Sequence, residues 1–232
     1  MSIAKKVAGK KAAEVVMDVC RDGCLIGIGT GSTIKYFIEE ANNLNYLKKS
    51  LIVTTSIDTA LTLRMMGINN VESGMCISEA LDVYVDGADE VDPKLRMIKG
   101  RGAALLREKV LATNSKYRVY VVDESKIVKI LGTKKPVPIE VIPFAILPVM
   151  RSIESMGYRV ELRVGSGKDG PVISDNGNVI MDIYTGPMNN PEDVHRALKL
   201  IVGVVETGIF IDLVDEVIVG SENGEVKILR RS

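Results

Sequence analysis

The chain has few of the residues that build common metal and redox sites. Its 232 residues include one histidine, no tryptophan and three cysteines. Cys20, Cys24 and Cys76 are an odd number without the spacing of metal ligands, so the sequence predicts no metal site built on them. We expect each cysteine to be a small buried hydrophobic side chain in a reducing compartment.

An excess of charge and a long apolar run are also missing. The 30 basic residues balance the 30 acidic ones, which leaves no basic face for nucleic acid. No apolar run approaches the ~20 residues of a membrane helix, and the first residues do not read as a signal peptide. We therefore expect a soluble cytoplasmic protein without a nucleic-acid or membrane partner.

The first half of the chain alternates short apolar runs with helical patterns as far as Lys126. Parallel strands need crossover connections, so this alternation predicts a parallel sheet covered by helices. The predicted strands are Leu25–Ile28, Leu51–Val53, Leu81–Val85 and Arg118–Val122, and the predicted helices are Thr33–Ala41, Asp58–Met66 and Ala103–Ala112.

The sequence pattern changes after the segment Pro136–Pro148, which is rich in proline. The elements then follow the order β-α-β-β-α-β, which is typical of a ferredoxin-like fold. A final hairpin, Glu216–Val219 with Val226–Leu229, is predicted to return to the first domain. The predicted strands of the second pattern are Val137–Ile142, Arg159–Val164, Asn178–Tyr184 and Val204–Phe210, and its helices are Ala145–Met156 and Val194–Val202.

The segment Leu81–Lys109 is the most informative part of the chain. An apolar strand leads into a loop with four carboxylates, then a lysine among glycines, then a helix that carries Glu108. Ligands bind beyond the carboxyl ends of parallel strands, so acids and a lysine there indicate proton-transfer chemistry on a small polar substrate. A solvated loop and a magnesium site are the alternatives. The residues concerned are Asp86, Asp89, Glu90, Asp92 and Lys99.

A glycine-rich turn, Gly27–Thr33, follows the first predicted strand and opens a helix. Its backbone N–H groups, the helix N-terminus and the hydroxyls of Thr30, Ser32 and Thr33 form a candidate phosphate site. The turn matches neither the dinucleotide fingerprint nor a nucleotide P-loop. The alternative is a tight turn with Ser32 as the N-cap.

Lys99 and Glu108 each have a non-catalytic interpretation as well. Lys99 in Lys99-Gly100-Arg101-Gly102 could stabilise developing negative charge, or belong to a glycine-rich loop with solvated cations. Glu108, between Arg107 and Lys109, could equally belong to a charged helix surface. His195, the chain's one histidine, is expected to be structural.

Taken together, the motifs GIGTGST, VDGADEVD, IKGRGAALLREK and VDESK resemble those of the ribose-5-phosphate isomerases of the A type. The resemblance extends through PVPIEVIP, GPVISDNGNVIMDI and GVVETGIF, and so covers nearly the whole chain. It implies an α/β fold: a Rossmann-like parallel-sheet domain (residues 1–131 and 207–232) with an inserted smaller ferredoxin-like α+β domain (residues 132–206).

The resemblance also implies an activity. The chain would be an aldose–ketose isomerase that interconverts D-ribose 5-phosphate and D-ribulose 5-phosphate in the pentose phosphate pathway, with no cofactor or metal and as a homodimer or homotetramer. Glu108 matches the general base, Lys99 the residue that stabilises the enediolate oxygen, and Asp86 and Asp89 the acids that assist ring opening. The implied substrate-binding residues are Thr30, Gly31, Ser32, Thr33, Gly100, Arg101, Gly102 and Lys126.

Two details of the resemblance are open. Many relatives read Lys-Gly-Gly-Gly where this chain has Arg101, which would be strained in a left-handed backbone. An N-terminal lysine approaches the site in relatives, and the chain offers four candidates: Lys5, Lys6, Lys10 and Lys11.

Two other functional classes remain as alternatives. A metal-dependent phosphatase or sugar-phosphate lyase could use Asp86 and Asp89 around magnesium. A sensor could bind the phosphosugar without turning it over.

Overall fold

Helices and strands follow one another as the two sequence patterns predict. The computed structural model describes residues 2–72, 79–167 and 169–231. The helices are α1 (Ile3–Cys20), α2 (Ser32–Asn43), α3 (Ile57–Met65), α4 (Leu105–Thr113), α5 (Ile146–Ser155) and α6 (Pro191–Lys199). The strands are β1 (Leu25–Ile28), β2 (Leu51–Thr54), β3 (Val71–Glu72), β4 (Val83–Asp86), β5 (Glu90–Val91), β6 (Met97–Ile98), β7 (Arg118–Asp123), β8 (Val137–Val141), β9 (Arg159–Leu162), β10 (Val179–Tyr184), β11 (Val204–Thr207), β12 (Ile209–Phe210), β13 (Glu216–Gly220) and β14 (Val226–Arg230).

A seven-stranded sheet forms the larger layer, in the order β14-β13-β7-β4-β1-β2-β3. Neighbouring strands run parallel, except that β14 is antiparallel to β13. The central strand β4 is buried along its whole length, as expected for a parallel strand covered on both faces. This confirms the mostly parallel α/β fold that the alternation of strands and helices in the first half of the chain predicted.

The ferredoxin-like pattern is also confirmed. Strands β8 to β11 form a four-stranded antiparallel sheet in the order β11-β8-β10-β9, as β-α-β-β-α-β connections require. Val149 and Ile153 of α5 and Leu198 of α6 belong to the same core as Met181 and Ile183 of β10. A small third sheet, β12-β6-β5, is built from two-residue strands.

The chain divides into two compact units. Unit one comprises Met1–Ala88, Arg107–Lys126 and Leu213–Ser232, and unit two comprises Asp89–Leu106 and Ile127–Asp212. Each unit has its own apolar core. Within the described residues, no helix is both long and apolar enough to cross a membrane.

Three predicted elements differ from those observed. The helix predicted at Ala103–Ala112 is α4, which begins only at Leu105 because Ala103 has a left-handed backbone (φ 60°). The strand predicted at Val204–Phe210 is divided into β11 and β12 at Gly208, where a Cβ would lie only 2.1 Å from the carbonyl oxygen of Lys99. The helix predicted at Val194–Val202 is α6, which begins earlier because Pro191 occupies its first turn, where proline is favoured.

The expectation for the cysteines was wrong in one respect. Cys20, which ends α1, is buried as predicted, but it forms a disulfide with Cys24 just before β1. The turn between them brings their Cα atoms to 5.0 Å, within the range that a disulfide spans. Cys76 lies outside the described residues.

The Cys20–Cys24 disulfide determines how many thiols of the chain can be alkylated before and after reduction. Unfolded, non-reduced protein should take up one iodoacetamide, whereas protein reduced first should take up three, because Cys20 and Cys24 become free only on reduction. Intact-mass spectrometry measures both numbers. Cys24→Ser should take up two iodoacetamides before and after reduction, and three adducts on the non-reduced chain would contradict the bridge.

Candidate active site

In unit one, three predicted site segments lie at one edge of the seven-stranded sheet. The neighbouring strands β1, β4 and β7 are parallel, so their carboxyl ends meet there. The turn 29–33 follows β1, Asp86 ends β4, and Lys126 ends a short 3-10 turn after β7. Strand topology therefore brings these segments together as the sequence predicts.

The glycine-rich turn leads directly into α2, which begins at Ser32 with Gly31 as its N-cap. Thr59 donates its hydroxyl to the carbonyl oxygen of Gly29 at 2.8 Å, which ties the turn to α3. The ammonium of Lys5 donates to Oγ of Ser32 at 3.0 Å. Lys5 is thus the N-terminal lysine that contacts the turn, a choice that the sequence left open among four residues.

Asp86 is fully buried, so the solvated-loop alternative is wrong for this residue. Its Oδ1 accepts the backbone N–H of Gly87 at 2.7 Å and that of Thr30 at 3.2 Å, and its Oδ2 accepts the hydroxyl of Tyr84. The carboxylate therefore joins the end of β4 to the turn after β1.

Glu108 is also buried, at 3% exposure, which excludes the charged-surface alternative. It lies in α4 and interacts electrostatically with Tyr84 and Tyr120, whose rings meet edge to face at 6.1 Å. Burial, and then the charges of Asp86 and Glu108, raise the pKa of both tyrosines well above the usual range. Both phenols consequently stay protonated beside two carboxylates, and that of Tyr84 donates to Asp86.

The tyrosines were missed by sequence reasoning, although a signal for one of them exists. Tyr84 and Asp86 are two residues apart on β4, so the alternation of a strand places them on the same face. Tyr120 is paired with Asp86 in the register of β4 and β7, which no local motif reveals.

The remaining predicted site residues belong to unit two. Lys99 is 3% exposed, and its ammonium lies 5.4 Å from the ring centre of Phe210, within the range of a cation–π contact. Its backbone N–H donates to the carbonyl oxygen of Gly208 at 2.8 Å. The lysine is therefore a buried cation rather than a solvated one.

Arg101 and Asp89 are connected through the backbone. The N–H of Arg101 donates to Oδ2 of Asp89 at 3.0 Å, and its side chain is 70% exposed, with Nε 3.9 Å from Oδ1 of Asp89. The left-handed conformations of this loop fall at Gly100 (φ 112°) and Ala103 (φ 60°), so Arg101 does not carry the strain expected for it.

The other two acids of the predicted loop anchor the backbone. Buried Glu90 accepts the N–H groups of Gly132, Lys134 and Lys135 at 2.6–2.7 Å. Buried Asp92 accepts two backbone N–H groups and pairs with the guanidinium of Arg96. Neither carboxylate is solvated.

The single histidine lies outside the candidate site. His195 shares a 2.7 Å hydrogen bond with the hydroxyl of Thr207, a contact that favours the structural role expected for it. In the part of the chain that the structure describes, no three residues among histidine, cysteine, aspartate and glutamate cluster closely enough to hold a metal ion.

Comparison with known proteins decides the family. Residues 51–224 match the family model of ribose 5-phosphate isomerase A (phosphoriboisomerase A). The chain belongs to this family. The ribose-5-phosphate isomerase A of Pyrococcus abyssi is 43% identical over 98% of this chain and 97% of its own length, and that of Bacillus mycoides is 41% identical over 95% and 96%.

Solved structures of the family agree with the fold over nearly the whole chain. Ribose 5-phosphate isomerase A from Methanocaldococcus jannaschii has a TM-score of 0.88 at 38% identity and covers 97% of each chain. A D-ribose-5-phosphate isomerase in complex with phospho-erythronic acid has a TM-score of 0.87 at 43% identity, covering 98% of this isomerase and 97% of that chain.

The contact between Gly29 and Asp86 gives a prediction. A Cβ at Gly29 would lie 1.9 Å from Oδ1 of Asp86, whereas one at Gly87 would come no closer than 3.7 Å to any atom beyond its chain neighbours. Gly29→Ala should therefore lower the melting temperature by at least about 5 °C, as overpacking does. Gly87→Ala is the control and should stay within about 2 °C in differential scanning calorimetry. Equal melting temperatures for the two variants would contradict the packing of Asp86.

Proposed function

We propose that this chain interconverts D-ribose 5-phosphate and D-ribulose 5-phosphate by metal-independent proton transfer through a cis-enediolate. The observation that carries the proposal is the full-length match to isomerases of this family. The chain is accordingly an aldose–ketose isomerase of the non-oxidative pentose phosphate pathway. Four buried or oriented side chains carry the steps of the reaction: Glu108, Lys99, Asp86 and Asp89.

Glu108 is the general base. It takes the proton from C2, the electrons of that C–H bond form the C1–C2 double bond, and negative charge moves to the C1 oxygen. A proton then passes from the C2 hydroxyl to the C1 oxygen, and Glu108 returns its proton to C1. Glu108 is buried, which keeps most solvent away from the carboxylate that receives the proton and supports this role.

Lys99 stabilises the enediolate oxygen. The C2 proton is weakly acidic, so its removal requires a partner for the charge that appears on oxygen. A buried ammonium held by a cation–π contact supplies that charge without competing water. Gly100, Arg101 and Gly102 continue the substrate-binding loop.

Asp86 and Asp89 assist ring opening and the transfer of a proton between the C1 and C2 oxygens. Tyr84 and two backbone N–H groups fix the orientation of Asp86, and the N–H of Arg101 fixes that of Asp89. Carboxylates held in this way need little reorganisation when a proton moves.

The phosphate binds at the turn after β1. Gly31, Ser32 and Thr33 contribute backbone N–H groups at the N-terminus of α2, which favours anions. Thr30, whose N–H is taken by Asp86, contributes its hydroxyl, as do Ser32 and Thr33. Lys5, already in contact with Ser32, and Lys126, beyond the end of β7, add positive charge. Phospho-erythronic acid, the ligand of the related structure, combines a phosphate with a planar carboxylate that resembles the paired oxygens of an enediolate.

Glu108→Gln tests the assignment of the base. The amide keeps the shape of the side chain but cannot accept the C2 proton, so kcat should fall at least about 10³-fold while KM changes less than about threefold. Ribulose 5-phosphate formation is followed with and without EDTA, which should not change the unmodified chain's rate. Glu39→Gln, at an exposed position of α2, is the control. Near-normal turnover by Glu108→Gln would refute this base, and turnover restored only by magnesium would point to a metal enzyme.

We also propose a cytoplasmic homodimer or homotetramer. In unit two, Phe144 is 97% exposed and Val202 91% exposed, and their segments are joined by a hydrogen bond from Ile142 to Gly203. Apolar side chains grouped on a surface mark an interaction site, and a second copy of the chain is its partner in this proposal.

Light scattering after size-exclusion chromatography tests the oligomer. The unmodified chain should elute at two or four times 25.2 kDa, and Phe144→Asp should shift toward the monomer because a charge would be buried in the interface. Leu61→Asp, at an exposed position of α3, is the control. A mass of 25.2 kDa for the unmodified chain would refute the proposal.

A further inference from the structure

The loop that carries Lys99 is fastened to strand β9 by one arginine. Nη1 of Arg163 donates to the carbonyl oxygens of both Gly100 and Arg101, at 2.9 and 3.0 Å. Arg163 directly follows β9, and all residues in this contact belong to unit two. One guanidinium nitrogen thus binds two successive carbonyl groups of the loop.

Arg163 is itself held by a carboxylate. Its Nε donates to Oδ2 of Asp182 at 2.8 Å, and its Nη2 pairs with Oδ1 of the same side chain. Asp182 lies on β10, the neighbouring strand, and both side chains are 16% exposed. A bidentate pair with little solvent around it fixes the plane of the guanidinium, and thereby the direction in which Nη1 points.

The fastened loop has an unusual backbone. Gly100 has φ 112° and Ala103 has φ 60°, and the N–H of Ala103 donates to the carbonyl oxygen of Gly100 at 3.1 Å. Non-glycine residues in the left-handed region are held there by their surroundings. Arg163 provides such a restraint from outside the loop.

The restraint extends to Asp89 through a single peptide group. The carbonyl of Gly100 and the N–H of Arg101 belong to the same planar trans peptide and point in opposite directions. The carbonyl accepts from Arg163, and the N–H donates to Oδ2 of Asp89. Asp182, Arg163, this peptide and Asp89 therefore form one continuous chain of hydrogen bonds, in which each bond polarises the next.

We propose that Arg163 and Asp182 are a positioning pair for the isomerase reaction, which fixes Asp89 and Lys99 through the peptide between Gly100 and Arg101. The inference rests on the proposed function, since it assigns Asp89 and Lys99 to the chemistry. Arg163 and Asp182 act without touching the substrate. Their contribution is the orientation of groups that do touch it.

Arg163→Met and Arg163→Lys test the pair. Methionine removes every hydrogen bond, and kcat should fall about 10- to 100-fold with KM changed less than about threefold, because misplacement of a reacting group acts on the chemical step. Lysine keeps the charge but lacks the planar fork, so it should recover only part of kcat. Arg159→Met is the matched control: Arg159 is the first residue of β9 and pairs with Glu161, but its side chain is 66% exposed. It should remain within about twofold of the unmodified rate.

An isotope effect separates positioning from loss of folded protein. With ribose 5-phosphate deuterated at C2, the isotope effect on kcat should differ between Arg163→Met and the unmodified chain, because the balance between proton transfer and other steps changes. A variant that is merely less folded loses rate with an unchanged isotope effect, which would overturn the proposal. So would a kcat within about twofold of the unmodified chain.

Asp182→Asn covers the case in which Arg163→Met does not fold, since it keeps the size of the side chain and removes its charge. The double variant Arg163→Lys, Asp182→Asn should be no slower than the slower single variant, because the two residues act as a unit. Fully additive losses would contradict the pair.

The unmodified chain and the variants Glu108→Gln and Lys99→Met, measured in the same assay, distinguish a failure of the proposed function from a failure of the positioning pair. If the unmodified chain does not turn over ribose 5-phosphate, the proposed function fails and the positioning pair with it. If the unmodified chain turns over and these two variants keep normal turnover, the roles assigned to Glu108 and Lys99 are wrong. If they lose turnover while the Arg163 and Asp182 variants do not, the positioning pair alone is wrong.

Discussion

The site segments of unit one depend on the hydrogen bonds made by the buried carboxylate of Asp86. It lies at the end of a fully buried parallel strand, where an unsatisfied charge would be very costly. The hydroxyl of Tyr84 and the N–H groups of Thr30 and Gly87 satisfy it. The turn after β1 is consequently held at the carboxyl end of β4. The same contact favours glycine at position 29, since a Cβ there would lie 1.9 Å from Oδ1 of Asp86.

In unit two, the buried acids that are not assigned to the reaction are also satisfied by hydrogen bonds. Glu90 accepts hydrogen bonds from three backbone N–H groups of the segment 132–135. Asp92 binds Arg96, which also pairs with Glu192 of α6. These carboxylates stabilise the loop on which Lys99 and Asp89 lie. Two acids of this loop, Glu90 and Asp92, therefore fasten its backbone.

The local patterns predicted the elements well because they depend on nearest neighbours along the chain. The apolar run of β4 and the glycine-rich turn before α2 are local signals, and the family resemblance pointed to the acids. Burial of Glu108, the pairing of Tyr120 with Asp86 and the bridge from Arg163 to Gly100 depend on residues 34 to 63 positions apart or on tertiary packing, so no local pattern could predict them. The Cys20–Cys24 bridge was missed for another reason: a separation of four residues does not by itself distinguish bonded from free thiols.

The pairing of β7 with β13 has a consequence for how the chain folds. Tyr120 is in register with Val217, so almost one hundred residues separate two adjacent parallel strands, and most of unit two lies between them. During synthesis, the strands β8 to β11 leave the ribosome before β13 exists. The antiparallel sheet is therefore able to form while the larger sheet still exposes the edge of β7 to solvent. Pairing across so long a separation is intrinsically slow, and β7 is an unpaired edge open to mispairing until β13 is made.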